Sequence, residues 1–79
     1  MSSMENRPEP IHLYAQHVAD GVVRVVRGDE MIVQSNSADY VAEAITALKM
    51  MGHDHRTHVV LYSPSSNIAW SGSIEQHRA

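Results

Sequence analysis

The chain predicts an α+β domain: an antiparallel four- to five-stranded sheet in the order βββαββ, with one helix packed on one face. Three observations predict it. Strand-type patterns occupy most of the sequence from Ile11 onward. A single stretch, Ser37 to Met51, carries the period of an amphipathic helix. Gly and Pro are confined to the junctions between these segments.

Residues 1–10 (MSSMENRPEP) are polar and hold two prolines, and they are expected to form a disordered lead-in. Ile11, Leu13 and Ala15 then alternate with His12, Tyr14 and Gln16, the pattern of a half-buried strand. Asp20-Gly21 is a strong hairpin signal, because a type I′ turn needs positive φ at both central residues. Val22, Val23, Val25 and Val26, interrupted by Arg24, make the return strand, and Gly28-Asp29 offers a second turn before Met31-Ile32-Val33.

The helix opens at a cluster of capping residues, Ser35, Asn36 and Ser37, and closes before Gly52, which suits the left-handed residue after a helix. Val41, Ala44, Ile45 and Leu48 form its burying stripe, with Asp39 and Glu43 near the start and Lys49 near the end, as the helix dipole favours. Val59 to Tyr62 make a fourth strand, apolar enough to be central. Pro64 to Asn67 is turn chemistry, and Ile68, Trp70 and Gly72 begin a fifth strand. The division that results is residues 1–10 as a lead-in, 11–74 as one domain and 75–79 as a flexible tail.

Composition narrows the function classes. The 79 residues include no cysteine, which excludes a disulfide framework and thiolate metal sites. Such a short chain buries only about 60% of its unfolded surface, so a second copy is one route to added stability. Six Lys+Arg against nine Asp+Glu give a net charge of −3, which argues against direct nucleic-acid binding. The sequence holds no apolar run of about 18 residues, and residues 1–10 lack the hydrophobic stretch of a signal peptide. No membrane association and a cytoplasmic location are the expectation, in a bacterial host if the gene belongs to a phage.

Candidate chemistry is sparse. The loop His53-Asp54-His55-Arg56-Thr57-His58 holds three of the six histidines, and His-x-His spacing can turn two rings toward one ion. This spacing resembles the His-x-His-x-Asp-His motif of the metallo-β-lactamase fold, with Thr57 where the aspartate belongs. The loop is therefore read as solvated, with His53, His55 and His58 as the only candidate metal ligands and no cofactor implied. Serines 63, 65, 66, 71 and 73 lack a nucleophile-elbow context. Asp39 and Glu43, at i and i+4, read as solvated acids.

Ile11-His12-Leu13-Tyr14, two further strands, the helix and Val59-Val60-Leu61-Tyr62-Ser63 resemble the opening βββαβ of the ribonuclease H fold. Leu61-Tyr62-Ser63-Pro64-Ser65-Ser66 is similar to that family's strand-end Leu-Tyr-Thr-Asp-Ser-Gln pattern. The resemblance implies an architecture without its chemistry. Pro64 stands for the metal-binding Asp, Tyr40 for the helix Glu, and the first-strand Asp has no counterpart near Tyr14 to Gln16.

One helix cannot cover such a sheet, so some of Tyr14, Val22, Val26, Tyr62 and Trp70 are expected to form an uncovered apolar patch of the kind that marks an interface. In size, charge and layout over residues 11–74 the chain resembles small phage and mobile-element proteins, including anti-CRISPR inhibitors. That resemblance implies a non-enzymatic binding protein that occupies a surface of a larger complex, a CRISPR-Cas effector subunit being the expected partner. Tyr62 and Trp70 are the expected anchors, with Arg24, Arg27, Asp39 and Glu43 as the charged rim. A self-assembling structural homodimer and a metal-binding protein built on the histidine loop are the other readings.

Overall fold

The computed structural model describes residues 8–36 and 38–77. Five strands and one α-helix follow in the order β1 (Ile11–Ala19), β2 (Val22–Arg27), β3 (Glu30–Ser35), α1 (Tyr40–Met50), β4 (His58–Tyr62) and β5 (Ile68–Ser73). A single turn of 3-10 helix, Ile74–Gln76, closes the chain. The α+β class and the βββαββ order expected from the sequence are present. The expected lead-in at residues 1–10 and tail at 75–79 lie partly outside the described residues. Glu75 and Gln76, read as part of that tail, belong to the packed domain.

The sheet is mixed, not wholly antiparallel. Its strand order is β3-β2-β1-β4-β5, and β1 runs parallel to β4 while the other three pairings are antiparallel. The reason is the helix. The β1-β2-β3 meander reverses direction twice, so β3 runs with β1; α1 then carries the chain back across the sheet, and β4 must run the same way again. Inserted beside β1, β4 can only be parallel to it.

Local chemistry sets each junction. Gly21 takes φ 72° but Asp20 does not share the positive φ, so the turn is not type I′. The register shifts between His17 and Ala19, and this bulge together with Gly21 closes the hairpin. The helix begins at Tyr40, three residues later than its pattern suggested, because Asp39 is the cap and accepts from the Ala42 N–H at 3.4 Å. Of the three residues expected to cap, Ser35 ends β3, and Ser37 lies outside the described residues. At the other end, Gly52 N–H donates to the Lys49 carbonyl and His53 N–H to that of Leu48, a Schellman closure that uses the φ of 90° at Gly52.

The core lies between the helix and one face of the sheet. Ala44, Ile45 and Leu48 from α1 pack with Ile11, Leu13 and Ala15 of β1, Val23 and Val25 of β2, and Val59 and Leu61 of β4. Register aligns Ile11 with Val59 and Leu13 with Leu61, so the two central strands present matched buried pairs. Each fully buried side chain of this size is worth about 1.5–3 kcal/mol of transfer free energy. Beside the helix, Ile74 of the 3-10 turn is completely buried and Trp70 packs against the same cluster. The chain end is tied down by backbone bonds from Ile74 N–H to the Thr57 carbonyl (2.9 Å) and from Glu75 N–H to that of His55 (2.8 Å). Among the described residues, no helix is long and apolar enough to cross a membrane.

Candidate functional site

Strand alternation sends the neighbours of the core residues to the opposite face, which no element covers among the described residues. There the register builds a row across all five strands. Met31 of β3 pairs with Val26 of β2, Val26 with Tyr14 of β1, Tyr14 with Tyr62 of β4, and Tyr62 with Ile68 of β5. Two bulges, between Val25 and Val26 and between Leu61 and Tyr62, shift the β3 and β5 partners so that Met31 and Ile68 land on this face. Ile68 (60% exposed), Met31 (55%) and Tyr14 (46%) are three of the larger apolar residues left most open to solvent.

The centre of the row is aromatic. The Tyr14 and Tyr62 rings stack with centroids 4.9 Å apart and planes within 11°, and His12 lies beside Tyr62 at 6.3 Å and 14°. In-register residues on adjacent strands hold such rings side by side without further support. Next to them is a shallow cleft of about 420 Å³ lined by Tyr14, Gln16, Tyr62, Ser63, Pro64 and Ser66. Its far wall is a stiff hairpin loop. Ser63 Oγ accepts from the N–H of Ser65 (3.2 Å) and of Asn67 (3.3 Å), and Ser66 holds φ 72° while its N–H donates to the Ser63 carbonyl at 2.9 Å.

Among the described residues, the strands place one fixed charge on this face: the Arg24 guanidinium, which donates through Nε (3.3 Å) and Nη2 (3.2 Å) to Gln34 Oε1 on the neighbouring strand. Gln16 flanks Arg24 on the other side. Beyond the apolar row, His58 Nε2 lies 3.2 Å from Ser71 Oγ. Among the described residues, Glu30 is the one carboxylate within a strand, at the start of β3 opposite Arg27 and on the other side from Met31, so none takes an open-face position in a strand.

The residues singled out in the sequence divide between two sides of the molecule. Tyr62 and Arg24 are on the open face. Trp70 is paired with Leu61, not Tyr62, and it lies on the covered side, half-buried against the core and edge-on to His77 at 5.4 Å. Asp39 and Glu43 are on the helix side, and Arg27 stands at the end of β2 opposite Glu30. Tyr62 and Trp70 therefore lie on opposite sides of the sheet. Tyr14 and Val26, expected in the uncovered patch, lie on this face, and three residues outside that expectation, His12, Met31 and Ile68, complete the surface. Alternation flagged Tyr14 as exposed, but only the bulges bring Met31 and Ile68 beside it.

The histidine loop is organised around Asp54 instead of around an ion. Its carboxylate accepts from Arg56 Nε (3.2 Å), Arg56 Nη2 (2.9 Å) and the Arg56 backbone N–H (2.8 Å). The Arg56 hydrogen bonds hold the Asp54 carboxyl well below the usual carboxylate range, and the same pairing raises Arg56. His55 is 3.5 Å from Glu75 and 3.8 Å from Asp54. His58 lies in β4 against Ser71, and His53 follows the helix cap, so the three histidines do not converge. Among the described residues, no group of three or more His, Cys, Asp or Glu side chains is placed to hold a metal ion.

Compared with protein-family models, curated proteins and solved structures, the chain has no significant match.

Proposed function

We propose that this chain is a non-enzymatic protein-binding module whose working surface is the open face of the sheet. One observation carries the reading: an apolar and aromatic row, Met31-Val26-Tyr14-Tyr62-Ile68, crosses all five strands, and among the described residues no carboxylate takes an open-face strand position. Rigid aromatic rings flanked by amides and one Arg are the residue types that dominate binding energy at protein interfaces. The partner surface that fits is apolar at its centre and neutral to acidic at its rim, where Arg24, His12 and His58 would meet it. The element order shared with the ribonuclease H opening supports a scaffold role, since Pro64 and Tyr40 stand where that family has carboxylates.

The finer reading is that the partner is a subunit of a bacterial defence complex, a CRISPR-Cas effector in particular. Its support is the size and layout resemblance to anti-CRISPR inhibitors, and a surface suited to occlusion without chemistry. The test is affinity capture from a bacterium expressing such complexes, run beside a Tyr14→Asp/Tyr62→Asp variant shown to be folded by circular dichroism. Stoichiometric recovery of a defence-complex subunit by the wild type alone is the expected result. Equal recovery by the variant would move the binding site off this face.

A further inference from the structure

We infer that, with no other partner bound, the open face is covered by a second copy of the chain. The protein then rests as a reversible face-to-face homodimer whose interface is its own binding surface. This rests on the reading of that face as the working surface and adds the regulation of it: self-association and partner binding compete.

Charge is the first argument. A two-fold interface places the same patch against itself, so any strong charge on it meets its own kind. This patch is almost uncharged. Among the described residues its one fixed charge from the strands, Arg24, is already engaged by Gln34 within the same copy, and no strand carboxylate faces it. Few surfaces on a chain with 15 charged Lys, Arg, Asp and Glu residues (six plus nine) meet that condition.

Area is the second. Five strands about 4.8 Å apart, most of them five or six residues long at about 3.3 Å rise and with alternate side chains on this face, give a footprint of roughly 400 Å² per copy. Two copies together bury about 800 Å² before side-chain relief is added, the range of weak, transient interfaces and not of obligate dimers. The dimer is thus expected to dissociate in the micromolar range or above, which leaves the face available to a tighter partner. Stacking two sheets at about 10 Å with strands nearly aligned is also the standard way to bury a flat apolar sheet face.

At the end of the β5 edge, the Ser73 N–H is already taken by Gln76 Oε1 at 2.7 Å, which removes one donor from edge-to-edge pairing there.

Sedimentation equilibrium from about 1 μM to about 1 mM tests this. The weight-average mass is expected to climb from 8.8 kDa toward twice that value. Tyr62→Asp and Met31→Asp, each checked for folding by circular dichroism, are expected to stay monomeric throughout, while Met50→Asp on the exposed helix surface dimerises like the wild type. A wild type that is monomeric at 1 mM, or a dimer that survives both face variants, would overturn the inference. A monomer that still loses a captured partner on Tyr62→Asp would sink the dimer and keep the binding module. A face-dependent dimer that no other protein displaces would do the reverse.

Discussion

The two faces of this sheet are built from the same five strands, yet they obey different rules. The covered face is aliphatic and closed: Leu13, Val25, Val59 and Leu61 have no exposed area and interlock with Ile45, Leu48 and Ile74. The open face is aromatic, thioether and amide, and its side chains are half-buried or exposed, held mainly by neighbours on adjacent strands. One face contributes folding free energy by exclusion of solvent. The other leaves Tyr14, Met31 and Ile68 open to solvent, a patch of the kind that marks an interface. Substitution should therefore separate stability from binding according to the side of the sheet.

The largest effect should come from Leu61→Ala on the covered face, with a loss of about 2–5 kcal/mol in urea unfolding and a matching loss of every function. Gly72→Ala should follow at about 1–3 kcal/mol, because a Cβ there would sit 2.8 Å from Gln76 Oε1 and 3.1 Å from the Trp70 ring. If that variant is as stable as the wild type, the 3-10 turn is not a fixed part of the covered face. On the open face, Tyr14→Ala should cost only about 1 kcal/mol, the worth of a half-exposed stacked ring, while partner capture and dimerisation fall at least tenfold. A Tyr14→Ala loss as large as that of Leu61→Ala would erase the distinction between the faces.

Asp39→Ala should cost about 1 kcal/mol through the lost helix cap, with no effect on binding, since the residue is on the helix side. The smallest effect is electrostatic. The Asp54 carboxyl is held below its ordinary value of about 3.9 by Arg56, so its contribution is complete above that value and is lost as the pH falls toward the folded one. Acid titration of Asp54→Asn should show a slightly shallower decline in stability below about pH 4 than the wild type, and salt should narrow the gap because the pair is exposed.

Much of the covered face was legible in the sequence, and the reason is periodicity. Val41, Ala44, Ile45 and Leu48 share a helical stripe, and Ile11, Leu13 and Ala15 a strand face, so which residues go inward follows from spacing alone. Exposure of Tyr14, Val26 and Tyr62 followed by subtraction. Trp70 misled because aromatic character suits a core and an interface equally, and its side of the sheet depends on the bulge between Leu61 and Tyr62. Histidine crowding is a different case: proximity in sequence puts His53, His55 and His58 within six residues, while strand β4 and the helix cap turn them apart.

The sequence by itself determined the class of fold, the element order, the burying stripe of the helix and the turn positions, because each depends on interactions a few residues long. It could not determine that β4 lies parallel to β1, that two bulges bring Met31 and Ile68 into line with the tyrosines, or that a 3-10 turn and Trp70 complete the covered face. Those depend on which strands become neighbours across gaps of dozens of residues, and on register, where a shift of one residue exchanges the two faces. Only the tertiary structure decides that, and with it the composition of the binding surface.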